Sequence, residues 1–303
     1  CCQWREQIHA MPVTSLENRT ESPRQTTLAI RLARAIRLCL HFFSGAITVG
    51  LVYPFAQDAR RLWMKQRWSR QLLEILGIEL DATLTGIAPG SLIVANHISW
   101  VDIFALNAAR PVAFISKAEV RQWPLIGWLS AKTDTVFLMR GSRGHARIVN
   151  AQIDALLNAD KDVALFPEGT TTDGTHLLHF HAALLQPAVE TGRPVQPVAL
   201  SYHLPDGQRC EAAAYAGDTT MGECVRAILA TPRMIVRLRP ERPLDSTCRD
   251  RRSLAKEARK AIAFSLGLPL ESTAPEIPAD PRDGLPSDAH PTSSRSPAPA
   301  DSA

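Results

Sequence analysis

Chemistry in this chain is expected first at a histidine that follows an apolar run. His97 comes directly after Leu92-Ile-Val-Ala-Asn96, and Asp102 follows it five positions later. The apolar run comes after the turn pair Pro89-Gly90 and predicts a buried strand, which leaves His97 in a loop just past the strand end. A carboxylate that hydrogen-bonds one imidazole nitrogen fixes the tautomer and leaves the other nitrogen as a base. The alternative is a buried histidine that a backbone carbonyl satisfies.

A second apolar run ends in the same way. Val163-Ala-Leu-Phe166 predicts another buried strand, and the polar turn after it, Pro167-Glu168-Gly169-Thr170, carries a carboxylate and a glycine. Ligand sites of α/β proteins lie at the carboxyl ends of the strands. Two strands that both end in unusual polar loops therefore indicate one shared site.

Together the two stretches resemble a known family. The pattern Asn96-His97-x-x-x-x-Asp102, followed by Phe166-Pro-Glu-Gly-Thr170, resembles the glycerolipid acyltransferases, in particular 1-acylglycerol-3-phosphate acyltransferases of the bacterial type. Val136-Phe-Leu-Met-Arg140 is similar to the family's phosphate-binding arginine block, and Val195-Gln-Pro-Val198 to its fourth block. The resemblance covers about residues 70 to 265.

The resemblance implies the reaction. An acyl group would pass from a thioester, acyl-coenzyme A or acyl carrier protein, to the free hydroxyl of 1-acyl-sn-glycerol-3-phosphate, and the product would be phosphatidic acid. An alcohol is a poor nucleophile at neutral pH, so a base must take its proton during the attack. His97 is the candidate base and Asp102 orients it. The substrate hydroxyl is itself the nucleophile, so no covalent enzyme intermediate is required and Ser99 need not act.

The resemblance also implies a set of substrate-binding residues. They are Asn96, Lys117, Arg140, Glu168, Gly169 and Thr170. Arg140 would clamp the acceptor phosphate, because a guanidinium binds phosphate oxygens in a bidentate way. Lys117 would add positive charge, Glu168 would accept hydrogen bonds from acceptor hydroxyls or from backbone, and Gly169 would let the substrate approach the chain closely. Without the family, Arg140 would be interpreted as a surface ion pair and Lys117 as a solvated lysine.

The chain departs from the family pattern directly after Thr170. The acylglycerol-phosphate enzymes often continue with Arg-Ser, whereas this chain has Thr171-Thr172. One expected phosphate-binding arginine is thus missing, and the pattern is also similar to enzymes that acylate lyso-ornithine lipids, whose acceptor has no phosphate. The identity of the acceptor therefore stays open between these two lyso-lipids.

Metal and cofactor chemistry is not predicted. His176, His179 and His181 lie close enough in sequence to bind a metal, but the resemblance implies no metal in catalysis and no cofactor beyond the acyl donor. The six cysteines form no Cys-x-x-Cys pair and fit neither a zinc site nor a disulfide scaffold, which favours free thiols in a reducing compartment.

Strands and helices alternate along the rest of the chain. Strand-length apolar runs cover residues 92–95, 112–115, 135–139, 163–166, 195–200 and 234–238. Helical patterns cover residues 101–109, 144–157, 182–190 and 251–266, and residues 117–130 predict short helices or a loop over the site. This alternation predicts an α/β fold, which the resemblance makes a mixed sheet flanked by helices, the glycerolipid acyltransferase fold.

The N-terminal part carries an apolar run that could meet a membrane. Residues 38–56 are about as long as the shortest membrane spans, near 20 residues, although Ser44 and Pro54 interrupt them. Basic residues flank the run on both sides: Arg31, Arg34 and Arg37 before it, and Arg60, Arg61, Lys65, Arg67 and Arg70 after it. Two basic flanks favour a helix pair that dips into one leaflet and returns, as the resemblance also implies. A single transmembrane helix and a buried core helix are the alternatives.

Length and composition then define the segments. The chain of 303 residues is 45% hydrophobic, and its net charge of +4 does not call for a nucleic-acid partner. We expect a flexible N-terminus at 1–33, a membrane-associated helical segment at 34–77, a catalytic domain at 78–268 and a disordered tail at 269–303. The expected location is the cytoplasmic face of the inner membrane, with a lyso-lipid and an acyl donor as partners.

Two other functions share parts of this pattern. A catalytically silent lipid-binding relative would keep the fold and the N-terminal segment, but it would have no chemical need for His97, Asp102 and Glu168. A thioesterase would use the same base with water as the acceptor.

Overall fold

The computed structural model describes residues 25–117, 127–128, 132–133, 135–138 and 143–269. Residues 270–303 of the predicted tail and residues 1–24 of the predicted flexible N-terminus lie outside these residues. A seven-stranded sheet forms the centre of the fold, with strand order β1-β7-β6-β2-β5-β3-β4. The strands are β1 (Ile78–Ala82), β2 (Leu92–Ala95), β3 (Ala113–Lys117), β4 (Thr135–Leu138), β5 (Val163–Leu165), β6 (Val195–His203) and β7 (Met234–Pro240).

The sheet is mixed, as predicted. Five of its strand pairs are parallel, and the pair β6–β7 is antiparallel. All four residues of β2 and all three of β5 are buried, because helices cover both faces of a parallel sheet. The predicted strand at residues 195–200 is three residues longer in the structure and ends at His203.

Helices cover both faces of this sheet. They are α1 (Leu28–Leu51), α2 (Asp58–Leu76), α3 (Asp102–Ala109), α4 (Arg143–Asn158), α5 (Gln186–Thr191), α6 (Met221–Ala230) and α7 (Arg251–Leu266). The core on one face is built with α2, α3 and α6, and the core on the other face with α4, α5 and α7. The loop after each central strand therefore leaves the sheet between the two helical layers. The two polar loops meet at this edge of the sheet.

The N-terminal helix pair is attached to the domain at its start. Thr26 donates its backbone N–H to Ala230 O (2.9 Å), and Arg34 donates to Thr231 O (2.8 Å), so α1 begins against the end of α6. Farther along α1, the imidazole of His41 stacks on the indole of Trp68 in α2, with ring centroids 4.5 Å apart. Helix α1 begins ten residues before the predicted apolar run, because the amphipathic turns that carry the arginines are helical too.

A partly buried carboxyl between α4 and α5 gives a pH-dependent prediction. Burial, followed by the charge and the hydrogen bond of Glu190, raises the pKa of Asp154 from 3.8 to about 6. The folded state thus holds this proton more tightly than the unfolded chain does. The carboxyl stabilises the fold most below about pH 4, and this contribution is lost as the pH rises to about 6.

We therefore expect Asp154→Asn to raise the melting temperature at pH 7.5, and we expect the gain to shrink towards pH 4. Thermal unfolding at several pH values measures this. Asp218→Asn, the same change in an exposed turn, is the matched control and should leave the pH dependence as it is. A gain that does not vary with pH would contradict the prediction.

Candidate active site

The two polar loops predicted to share a site do meet in the structure. Strands β2 and β5 are neighbours and run parallel, with Leu92 opposite Val163. Because parallel neighbours end at the same edge, His97 after β2 and Glu168 after β5 come together there. The backbone N–H of His97 donates to Glu168 Oε1 at 2.9 Å, which joins the two loops directly.

His97 and Asp102 form the pair that their spacing predicted. Nδ1 of His97 lies 2.9 Å from Asp102 Oδ2. The side chain of Asp102 is 0% exposed and that of His97 is 18% exposed, so the carboxylate is sealed while the imidazole reaches the surface. With Nδ1 donating to the carboxylate, Nε2 is the nitrogen left to accept a proton from outside.

Asp102 is held by more than its histidine. Its Oδ2 also accepts the backbone N–H groups of Ile98 (2.7 Å) and Ser99 (2.9 Å), and its Oδ1 accepts the phenol of Tyr202 (2.6 Å). Asp102 is also the first residue of α3, where a negative charge is favourable beside the helix N-terminus. These four donors, the imidazole among them, stabilise a buried charge without a cation.

Phe166 fixes the plane of the imidazole. The rings of His97 and Phe166 are stacked, with centroids 3.9 Å apart and an interplanar angle of 5°. The sequence motif contains this phenylalanine, but its spacing gave no sign of this role. One face of His97 is therefore covered by Phe166.

Glu168 binds backbone with both oxygens. Oε1 accepts from His97 N and Oε2 accepts from Leu178 N at 2.8 Å, and the residue is 4% exposed. Burial raises the pKa of Glu168 to about 7, although the two backbone hydrogen bonds act in the opposite direction. Of the two partners predicted for Glu168, acceptor hydroxyls and backbone, the structure shows backbone. It joins the histidine loop to the loop after β5.

The other predicted motif residues are placed as follows. Asn96 is buried and pairs in both directions with Leu200 of β6, donating to its O (3.0 Å) and accepting from its N (2.8 Å). Gly169 has φ 69°, a left-handed conformation that favours glycine. Thr170 is exposed at the turn. Asn96 thus ties β2 to β6.

The described part of the structure leaves the roles of the two predicted cations as predictions. Lys117 is the last residue of β3, in register with Leu138 of β4. Arg140 lies outside the described residues. Two other arginines do lie near the loop after β5: Arg209 donates to Gly174 O, and Arg259 donates to Leu178 O.

The threonines in the place of Arg-Ser hold the loops together. Thr171 Oγ1 donates to Tyr215 O, and the backbone N–H of Thr172 donates to His97 O at 2.9 Å. Among the histidines of the following segment, the rings of His179 and His181 lie 5.9 Å apart at an interplanar angle of 83°. Over the described ranges, no three His, Cys, Asp or Glu side chains converge on a point where a metal could bind.

Comparison with known proteins places this geometry in a family. The family model named Acyltransferase matches residues 82–201, which include both loops and the start of β6. A Pseudomonas aeruginosa protein named lyso-ornithine lipid O-acyltransferase is 40% identical over 220 residues, covering 71% of this chain and 81% of that protein. The chain belongs to the acyltransferase family.

Two further comparisons concern a second relative and the fold. A protein of Neisseria meningitidis named 1-acyl-sn-glycerol-3-phosphate acyltransferase is 36% identical over 163 residues, covering 54% of this chain and 64% of that protein. The crystal structure of the 1-acyl-sn-glycerophosphate acyltransferase PlsC from Thermotoga maritima matches with a TM-score of 0.57 and 21% identity. That match covers 78% of this chain and 96% of the other, and at this identity it shows the shared fold alone.

Proposed function

We propose that this chain transfers an acyl group from a thioester to the free hydroxyl of a lyso-lipid. The observation that carries the proposal is the His97–Asp102 pair, 2.9 Å apart, with a sealed carboxylate and an accessible imidazole at the edge shared by β2 and β5. Such a pair is a general base held in one tautomer. The acyltransferase family of the chain supports an acyl group as what is transferred.

The reaction then needs no nucleophile from the chain. His97 Nε2 takes the proton of the acceptor hydroxyl as its oxygen attacks the thioester carbonyl carbon. The tetrahedral intermediate collapses, the carbon–sulfur bond breaks, and the leaving thiolate receives the proton from the imidazolium. Ser99 is 0% exposed and its hydroxyl accepts from Val101 N, so it is not a candidate nucleophile. Acyl-coenzyme A or acyl carrier protein would be the donor.

One candidate acceptor is 1-acyl-sn-glycerol-3-phosphate. The name of the Neisseria relative supports it. It would need cations for its phosphate, and Arg140 and Lys117 are the candidates. With this acceptor the product is phosphatidic acid.

Lyso-ornithine lipid is the second candidate, and it has the broader support. The relative with that name is aligned over 81% of its length, against 64% for the Neisseria protein. Thr171 and Thr172 stand in the place of the expected Arg-Ser. Their hydroxyls donate to the backbone carbonyls of Tyr215 and His97. An acceptor with an amine would also suit Asp173, a half-exposed carboxylate on this loop. Its burial acts to raise the pKa, but hydrogen bonds from Thr175 keep the pKa of Asp173 below its ordinary value.

A panel of acceptors tests the proposal. Purified full-length protein is incubated with radiolabelled oleoyl-coenzyme A and, separately, lyso-ornithine lipid, 1-acylglycerol-3-phosphate or lysophosphatidylcholine. We expect labelled diacyl product from lyso-ornithine lipid above the others, and selective labelling of 1-acylglycerol-3-phosphate would assign the other acceptor. Loss of thioester without labelled lipid would indicate a thioesterase, and no turnover with any acceptor or donor would contradict the proposal.

Helix α1 is the surface proposed to hold the enzyme on the membrane. By its length and composition it is the helix, among the described residues, that could cross a bilayer. Exposed apolar side chains recur every three or four residues along its whole length: Leu28, Leu32, Ile36, Leu40, Phe43, Ile47 and Leu51. The opposite face packs on α2 through His41 and Gly45. One apolar stripe on a helix tied to the domain favours docking in the plane of one leaflet over a span.

We expect the double substitution Phe43→Glu and Ile47→Glu to weaken binding to vesicles of phosphatidylethanolamine and phosphatidylglycerol by more than about 10-fold, since each side chain loses about 1.5–3 kcal/mol of apolar burial. Co-sedimentation measures the bound fraction. Phe264→Glu is the matched control, because this side chain on α7 is 84% exposed and lies outside the stripe. Equal loss in the control, or no loss in the double variant, would contradict docking through α1.

A further inference from the structure

Tyr202 is a residue that no sequence pattern connects to the catalytic pair. It lies in β6, one hundred positions after Asp102, and it is 1% exposed. Its hydroxyl lies 2.6 Å from Asp102 Oδ1. The three other donors to this carboxylate, from His97, Ile98 and Ser99, all bond to Oδ2. Within the described residues, Tyr202 is thus the side chain that holds the second oxygen.

The phenol can only be the donor in this contact. Burial raises the pKa of Tyr202 well above 10, and the charge of Asp102 and the hydrogen bond to it act in the same direction. The hydroxyl of Ser99 is hydrogen-bonded to the same phenol. Tyr202 therefore keeps its proton at any pH at which the enzyme works, and Asp102 always faces a donor on that side.

The position of Tyr202 is fixed relative to the histidine loop. Its carbonyl accepts from Cys210 N at 2.9 Å, and it pairs with Val236 across β6 and β7. Two residues earlier, Leu200 makes the two hydrogen bonds with Asn96 that join β6 to the end of β2. The position of the phenol is therefore set by the sheet itself, and the start of the histidine loop is joined to the same strand.

We infer that Tyr202 is a positioning residue for acyl transfer: it fixes the rotation of the Asp102 carboxylate and weakens that carboxylate's hold on the imidazolium. The inference rests on the proposed function of the His97–Asp102 pair. A donor on Oδ1 draws part of the negative charge away from Oδ2, the oxygen that faces His97 Nδ1. The imidazolium formed during attack is then stabilised enough to form, but not so much that it keeps its proton when the thiolate leaves.

Tyr202→Phe tests the inference, since it removes only the hydroxyl. We expect kcat to fall by about 10- to 100-fold, because a buried carboxylate oxygen loses its donor at the base. KM for both substrates should change by less than about threefold, because no binding contact is lost. The acidic limb of the pH profile of kcat/KM should move to higher pH, since the carboxylate without its donor holds the imidazolium more strongly. Tyr53→Phe, the same change in the N-terminal helical segment, should leave kcat and the pH profile unchanged.

A second variant strengthens the donor instead of removing it. Incorporation of 3-fluorotyrosine at position 202 keeps the shape of the ring and makes the hydroxyl more acidic, so the acidic limb should move to lower pH. The 3-fluorotyrosine variant tests the inference even if the Tyr202→Phe protein does not fold. A lower kcat with an unmoved acidic limb would reduce Tyr202 to a packing role, and a wild-type profile in both variants would overturn the inference. If His97→Ala is inactive while the Tyr202 variants behave as wild type, the inference fails and the proposed function stands. Full activity in a folded His97→Ala protein would contradict the proposed function itself.

Discussion

Replacing His97 by alanine is expected to lower kcat by about 10²- to 10⁴-fold while the protein stays folded. The reason is that Nε2 of this imidazole is the proposed proton acceptor, and the substrate hydroxyl would have no comparable base once the ring is gone. The ring is 18% exposed, and its loop is held by backbone and by Glu168, so truncation removes little of the core. Initial rates at saturating donor and acceptor, with melting temperatures beside them, measure both parts of this result.

The matched control is His203→Ala, which removes an imidazole at the end of β6. This ring contacts Ser201 Oγ and Gly207 O and takes no part in the pair. We expect its kcat to stay within about threefold of wild type. A folded His97→Ala protein that turns over at the wild-type rate would rule out the histidine as the base.

Glu168→Gln is the second substitution with a large expected effect. Both oxygens of Glu168 accept backbone N–H groups, so one end of the glutamine amide would present a donor to another donor. We expect the free energy of unfolding to fall by about 1–3 kcal/mol at pH 5. We expect kcat to fall by about 10-fold or more, because the histidine loop loses its tie to the loop after β5.

The pH dependence of this loss follows from the pKa of Glu168. Burial raises the pKa to about 7, so the folded state binds the proton more tightly than the unfolded chain, and the stabilising contribution declines as the pH rises from about 4.5 to about 7. The glutamine does not titrate. The stability lost on substitution should therefore be larger at pH 5 than at pH 8, which denaturant unfolding at both values measures. Glu74→Gln, at an exposed position of α2, should show no such difference, and a loss that grows with pH would reverse the assignment.

The parts of the fold with strong local patterns could be predicted from the sequence. Strand β2 and helix α7 have the bounds expected for them, because an apolar run and a regular amphipathic pattern each depend on neighbouring residues only. Strand β1 was missed, since Glu79 and Asp81 interrupt its apolar residues. In this edge strand Glu79 pairs with Arg233, directly before β7, and Asp81 pairs with Arg239 of β7. Helix α6 was missed although Thr220 and Glu223 form a capping box at its start.

The candidate site was likewise predicted only in part from the sequence. Spacing predicted the His97–Asp102 pair, because both residues lie in one loop and its following helix turn. The stacking of Phe166 on the imidazole and the bond from Tyr202 were beyond such reasoning, since they join residues from different strands and depend on sheet order. Glu168 was assigned to the site, but its backbone partners are defined only once the loop after β5 folds back over the histidine.

The hydrogen bonds between Asn96 and Leu200 also set the time at which the enzyme can first work. Asn96 and Leu200 are 104 residues apart in sequence, so the side-chain amide of Asn96 has this partner only after β6 has been synthesised. At about 5–20 residues per second, a ribosome needs about 5 to 20 s to add that length of chain. During this interval the nascent histidine loop lacks the strand that holds Asp102. The unfinished chain thus has its proposed catalytic residues but no assembled base, and we expect a chain truncated before β6 to have no acyltransferase activity.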